Sequence, residues 1–148
     1  MTDRIEKRIE LKASVSRVWR ALTDHREFGQ WFRVVLEGPF EVGKVARGTK
    51  LDPSNGQVVF AATIKEMQPE RLFSFTWRPY AVDPRVDYSQ EPPTLVEFTL
   101  EKSAAGTVLT VVESGFDRLP ASRREQVYRG NSEGWAFQLE NIRRHVGG

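Results

Sequence analysis

The sequence predicts an α+β domain in which one antiparallel sheet of six to seven strands wraps around a long C-terminal helix. Three observations point to it. The segment Ile5 to Leu11 alternates apolar and charged residues, and two short amphipathic stretches follow it. Residues 34 to 115 then read as short strands broken by turn residues. Helix-compatible sequence from Ala121 to Val146 closes the chain. The length of 148 residues suits a single domain spanning 1–148 with one hydrophobic core.

Each element has a local reason. Ile5, Ile9 and Leu11 recur at period two against charged neighbours, the mark of a half-buried strand. Ser14 is placed to cap a helix whose stripe is Val15, Val18, Trp19 and Leu22. Thr23-Asp24 breaks that helix, and Asp24 can cap a second one carrying Phe28, Trp31 and Phe32. Strands are expected at Val34 to Glu37, Val45 to Leu51, Gln57 to Met67, Arg71 to Trp77, Leu95 to Lys102 and Thr107 to Ser114. The turns between them are Gly38-Pro39, Asp52-Pro53-Ser54-Asn55-Gly56, Pro69-Glu70 and Ala105-Gly106. Short turns imply an antiparallel meander, because parallel strands need long crossovers. Arg78 to Pro93, with four prolines and two tyrosines, is too long and aperiodic for a tight turn and reads as a gate loop.

In the last helix the apolar seam is Tyr128, Trp135, Leu139, Ile142 and Val146, interrupted by Asn131. Gly130 and Gly134 lie one turn apart, each costing about 1 kcal/mol relative to alanine. Two compensations are open: close approach of the helix backbone to the sheet, or room for a cavity.

Composition excludes several classes of function. The chain has no cysteine, so disulfides, thiolate nucleophiles and cysteine-based metal sites fall away. The start, Met-Thr-Asp-Arg, has no apolar signal region, and no stretch approaches the ~18 apolar residues of a membrane span. A cytoplasmic location is the expectation. The net charge is only +2, and the arginines of the last helix are interleaved with Glu125, Glu133 and Glu140, which argues against a nucleic-acid partner. His25 and His145 have no third ligand at motif spacing, so no metal is expected. No phosphate loop, dinucleotide fingerprint or nucleophile elbow appears, and no cofactor is expected.

The order strand, two helices, meander and long helix describes a helix-grip architecture. Several segments also resemble a particular family: Ala13-Ser14 leading into Val18-Trp19-Arg20-Ala21-Leu22-Thr23-Asp24, then Trp31-Phe32. Pro69-Glu70-Arg71-Leu72 before a strand ending in Trp77, Glu113-Ser114-Gly115-Phe116, and Gly134-Trp135 with Leu139 continue the match. In this order they resemble the START-like (SRPBCC, Bet v 1-like) superfamily, and within it the homologues of the heat-shock-protein-90 ATPase activator. The resemblance implies a cavity for a hydrophobic ligand, a chaperone as partner and a link to stress response. Relatives of this fold also include lyases, cyclases and hydrolases.

The candidate site follows from the inward faces. Phe60, Phe73, Phe75, Trp77 and Phe98 form a ring of aromatic positions, which serve either as core or as pocket walls. Trp31 and Trp135 are expected to converge on the same space. Glu113 shares a face with Leu109 and Val111, and a carboxylate there has to be paired, protonated or at the cavity mouth. It could orient a ligand, act as a general base, or be salt-bridged to an arginine at the strand's wet end. Asn131 offers donors and an acceptor, and Arg78, Tyr80 and Tyr88 stand at the expected mouth. The leading expectation is a non-enzymatic binding protein for a small apolar or amphipathic molecule, monomeric or homodimeric. An enzyme using Glu113 and a cochaperone-like interaction module are the rivals.

Overall fold

The computed structural model describes residues 4–52, 56–78 and 90–147. The elements follow in the expected order. Strand β1 (Arg4–Leu11) leads into helices α1 (Val15–Thr23) and α2 (His25–Phe32). Strands β2 (Val34–Leu36), β3 (Val45–Asp52), β4 (Gly56–Gln68), β5 (Leu72–Trp77), β6 (Thr94–Lys102) and β7 (Thr107–Ser114) come next. A short 3-10 turn at Phe116–Arg118 then precedes helix α3 (Ala121–Val146). No helix among the described residues is long and apolar enough to cross a membrane.

Capping chemistry places the early helices. Ser14 accepts a hydrogen bond from the Arg17 amide at 3.1 Å. Asp24 ends α1 through its own amide, which bonds the Arg20 carbonyl, and caps α2 by accepting from the amides of Arg26 and Glu27. One residue thus closes one helix and opens the next. Helix α2 stops at Arg33, in the left-handed region with φ 65°. The seven strands form one antiparallel sheet in the order β1-β7-β6-β5-β4-β3-β2, so the first strand pairs with the last.

Close backbone approach requires glycine at Gly29, Gly48 and Gly106. A Cβ on Gly106, whose φ is +155°, would overlap the carbonyl oxygens of Leu11 and Ala13. A Cβ on Gly48 would stand 2.5 Å from the Val35 carbonyl oxygen, where β2 pairs with β3. The other strained position is Glu70, with φ 63° in the β4–β5 turn; its carboxylate accepts a bond from the Ser16 hydroxyl at 2.9 Å, tying that turn to α1.

Register decides which side chains face α3. The pairs Ile5↔Glu113, Val96↔Glu113 and Phe75↔Val96 put these residues in one row across the concave face. Phe73↔Phe98↔Val111 makes the next row. All of these residues are buried. Helix α3 lies over this face and buries Trp135, Gln138, Leu139, Asn141 and Ile142. Tyr128 and Val146, the two ends of the expected seam, are only partly buried. Gln138 and Asn141 are the unexpected members. The Gln138 amide donates to the Phe32 carbonyl at 3.4 Å, and Asn141 donates to Gln138 at 3.1 Å, which satisfies polar groups where α2 docks on α3.

Both helix glycines are exposed. A Cβ on Gly130 or Gly134 would meet nothing within 4 Å, so the helix backbone does not approach the sheet closely there. Close approach to the sheet is therefore not the compensation, and both positions are open on their outer side.

Candidate functional site

Five side chains from four elements meet at one end of the concave face. Glu113, from the inward row of β7, has no solvent exposure. Its Oε2 accepts from the indole Nε1–H of Trp77 at 2.9 Å and from the Thr94 hydroxyl at 2.5 Å. Its Oε1 accepts from the indole Nε1–H of Trp135 at 2.8 Å. The Asn131 amide bridges both oxygens at 3.0 Å each. Among the described residues no cation pairs with this carboxylate, so the wet-end salt bridge considered from the sequence is replaced by a ring of neutral donors. A carboxylate offers about four lone-pair sites, and four donor groups occupy them here. Charge-assisted bonds of this kind compensate for burying the group.

The rings of the two indoles continue into the aromatic cluster. Trp77 and Trp135 lie with centroids 5.8 Å apart, and Phe32 contacts both, at 5.9 and 6.2 Å. Phe60 packs on Trp77 at 5.9 Å, Phe75 on Trp77 at 5.3 Å and Phe98 on Trp135 at 5.5 Å. Phe73 lies deeper, against Phe40, Phe75 and Phe98. Phe73, Phe75 and Phe98 are fully enclosed, while Trp77 and Asn131 are only half-buried and form the accessible edge of the cluster.

The structure thus brings together Phe60, Phe73, Phe75, Trp77, Phe98, Glu113, Asn131 and Trp135 in one connected group. Two predicted members stand apart. Trp31 is buried against Phe28 and Phe32, and its indole donates to the Ala21 carbonyl at 2.8 Å, locking α2 onto α1. Its neighbour Phe32 is the α2 residue that reaches the two indoles. Arg78 is exposed just beyond β5, and its Nε donates to the Glu91 carbonyl at 2.7 Å rather than to the carboxylate centre. Arg118 and Arg123 hold the same strip, through the Pro93 carbonyl at 3.3 Å and the Glu91 carboxylate at 3.0 Å. Tyr80, Tyr88 and most of the expected gate loop lie outside the described residues.

Sequence reasoning missed Thr94, Phe32 and Lys50. Thr94 opens β6 directly opposite Trp77, a pairing set by register. Lys50 faces inward from β3, in register with the buried Val34, and its ammonium stands 5.1 Å from the centroid of the Phe32 ring. The available signal for Lys50 was its even spacing from Ala46 and Gly48, the buried positions of β3.

The comparisons with known proteins agree with this architecture. The sequence profile of the family described as Activator of Hsp90 ATPase homolog 1-like protein matches residues 12–147. A comparison with curated proteins finds no match. Among solved structures, DynU16, a protein of the dynemicin biosynthetic locus, is 27% identical with a TM-score of 0.74. That match covers 99% of this chain but 48% of DynU16, so the chain spans about half of that relative's length. The Chromobacterium violaceum protein CV1439 is 22% identical with a TM-score of 0.76, covering 100% of this chain and 99% of its own. The Mesorhizobium loti protein MLL2253 is 22% identical with a TM-score of 0.75, covering 97% and 96%. Both show the same helix-grip fold. With the profile matched over nearly the whole chain, the protein belongs to the family of proteins similar to the activator of Hsp90 ATPase homologue 1.

Proposed function

We propose that this protein binds a small apolar or amphipathic molecule against the half-buried edge of the aromatic cluster, between the concave sheet face and α3. The observation that carries the reading is the placement of Trp77 and Asn131, partly buried at the edge of the cluster, next to a stretch of α3 where Gly130 and Gly134 carry no side chain. Aromatic faces supply most of the affinity in such sites, and a few polar groups fix orientation. Phe32, Phe60 and Trp135 pack around Trp77, and Asn131 is a partly buried polar group joined to it through Glu113. Phe73, Phe75 and Phe98 support that group of rings from within. The enzyme reading, with Glu113 as base, has less behind it, because every acceptor site of this carboxylate faces a donor of the protein itself.

The test is a fluorescence titration with N-phenyl-1-naphthylamine, an uncharged probe that brightens in apolar surroundings. Saturable binding is expected, weakened about two- to tenfold by Trp77→Ala, since an aromatic contact contributes about 0.5–1.5 kcal/mol. Native mass spectrometry with denaturing extraction identifies anything that travels with the purified protein. No probe binding at high micromolar concentration, with no extracted molecule, removes the reading.

A second reading, docking on a chaperone, draws on the family and on exposed apolar residues. Val35 and Val59 are 67% and 73% exposed and flank Thr49 across the outer face of β2, β3 and β4. Titration calorimetry against an Hsp90-type chaperone, with Val35→Glu and Val59→Glu as controls, decides it. Heat that persists unchanged in both variants places the contact elsewhere.

A further inference from the structure

We propose that Glu113 is a positioning residue: it acts on the ligand through the indoles of Trp77 and Trp135, which its two oxygens hold at fixed angles, and not by touching the ligand. This rests on the binding reading above. The two indole N–H groups come from β5 and α3, elements remote in the chain, and each takes a different oxygen of the same carboxylate. Thr94 and the bridging amide of Asn131 complete the set and fix the carboxylate's own orientation. An indole has two side-chain torsions. Packing restrains the ring position, and a bond from Nε1 to a fixed acceptor removes the ring flip that packing alone leaves available. The consequence is one defined aromatic surface at the accessible edge, preorganised before the ligand arrives.

A carboxylate is needed because the two indole N–H groups can only donate, and each takes a different oxygen. Glu113→Gln would present one oxygen and one NH2, and whichever oxygen the NH2 replaces, it would face one of the two indole N–H groups. One buried donor would then lose its acceptor whichever way the amide turned.

The experiment follows the side-chain indole N–H resonances of the full chain in 15N-correlated NMR. Four tryptophans give four such signals, and Trp77→Phe and Trp135→Phe assign the two of interest. Glu113→Gln is expected to move the Trp77 and Trp135 signals upfield, as donors leaving an anionic acceptor do. Trp31, whose indole bonds the Ala21 carbonyl, stays in place as an internal control. Affinity for N-phenyl-1-naphthylamine should fall about tenfold in Glu113→Gln. The losses in Glu113→Gln and Trp135→Phe should combine to less than their product, since the NH2 of glutamine can face the place where the indole N–H is gone.

Where Glu113→Gln yields too little folded protein, Thr94→Val takes its place, with the carboxylate kept and smaller shifts in the same two signals expected. Unmoved Trp77 and Trp135 signals, equal movement of all four, or losses that simply multiply would each overturn the proposal. If the wild type binds no probe, the binding reading alone falls, and the resonances still decide whether Glu113 sets the two indoles.

Discussion

A single carboxylate shows how residue type and location divide the work. Glu113 is admitted to the interior because two tryptophans, a threonine and an asparagine all present donors to it. Elsewhere the same residue type does the opposite job: Glu140 and Glu125 hold arginines at the surface of α3, where pairs of this kind contribute little. Asp24 is a third case, with its carboxylate taking the two free amides at the start of α2. Asp24→Ala is expected to cost about 1 kcal/mol in chemical denaturation, within the usual range for a lost N-cap. An unchanged midpoint would mean that packing alone sets where α2 begins.

At the scale of elements, the long helix carries a local penalty that its surroundings do not repay by contact. Gly130 and Gly134 are exposed, and an added Cβ at either would touch nothing within 4 Å. Gly130→Ala and Gly134→Ala should therefore each raise stability by up to about 1 kcal/mol in urea denaturation, with nearly additive effects. A probe affinity that drops in Gly134→Ala while stability rises would show that the ligand uses this flank. The β4–β5 hairpin keeps its own irregularity: register shifts between Ile64 and Glu66, and the turn holds Glu70 at φ 63°. That bulge lets Phe73 face inward opposite Met67 while Phe75 pairs Ile64, both on the core side.

For the molecule as a whole, one group holds the helical layer to the sheet and another ties the three helices to one another. One is the aromatic network running from Phe28 through Phe32 to Trp135 and Phe98. Phe98→Ala, at a fully buried ring that touches Trp135 and Phe73, should cost about 3–5 kcal/mol in thermal or chemical unfolding. The other is polar: Glu27 of α2 accepts from Arg17 and Arg20 of α1, at 2.7 and 2.8 Å, and meets Nε2 of His145 near the end of α3 at 2.9 Å. Burial pushes the Glu27 carboxyl up, but the hydrogen bonds of His145 and Arg17, the Arg17 charge and the Arg20 bond together outweigh it and hold the group below its ordinary 4.5. The stability this adds is present above about pH 4.5 and is lost as the pH falls through the lowered value. Wild type should lose more stability than Glu27→Gln does as the pH falls below about 4.5. Parallel acid profiles for the two would remove this cluster from the account.

Much of this architecture is legible in the residues because it follows from period and local chemistry. Alternation placed Phe98, Val111 and Glu113 on inward faces, Ser14 and Asp24 marked the helix starts, and Pro69-Glu70 and Gly106 marked turns. The inward position of Glu113 was readable from Leu109 and Val111, two and four residues before it. Its partners were not, because Thr94 and Trp77 reach it only through strand register, across 19 and 36 residues of chain. Trp31 and Phe32 are adjacent on a helix buried on most sides, so periodicity had no means of choosing which one meets Trp77. Gln138 and Asn141 lie outside the apolar seam read from the sequence and are buried where α2 docks on α3. Local sequence specifies elements and the faces they bury; which side chains meet is set by register and docking, where bonds between distant segments fix geometry that no short stretch of chain encodes.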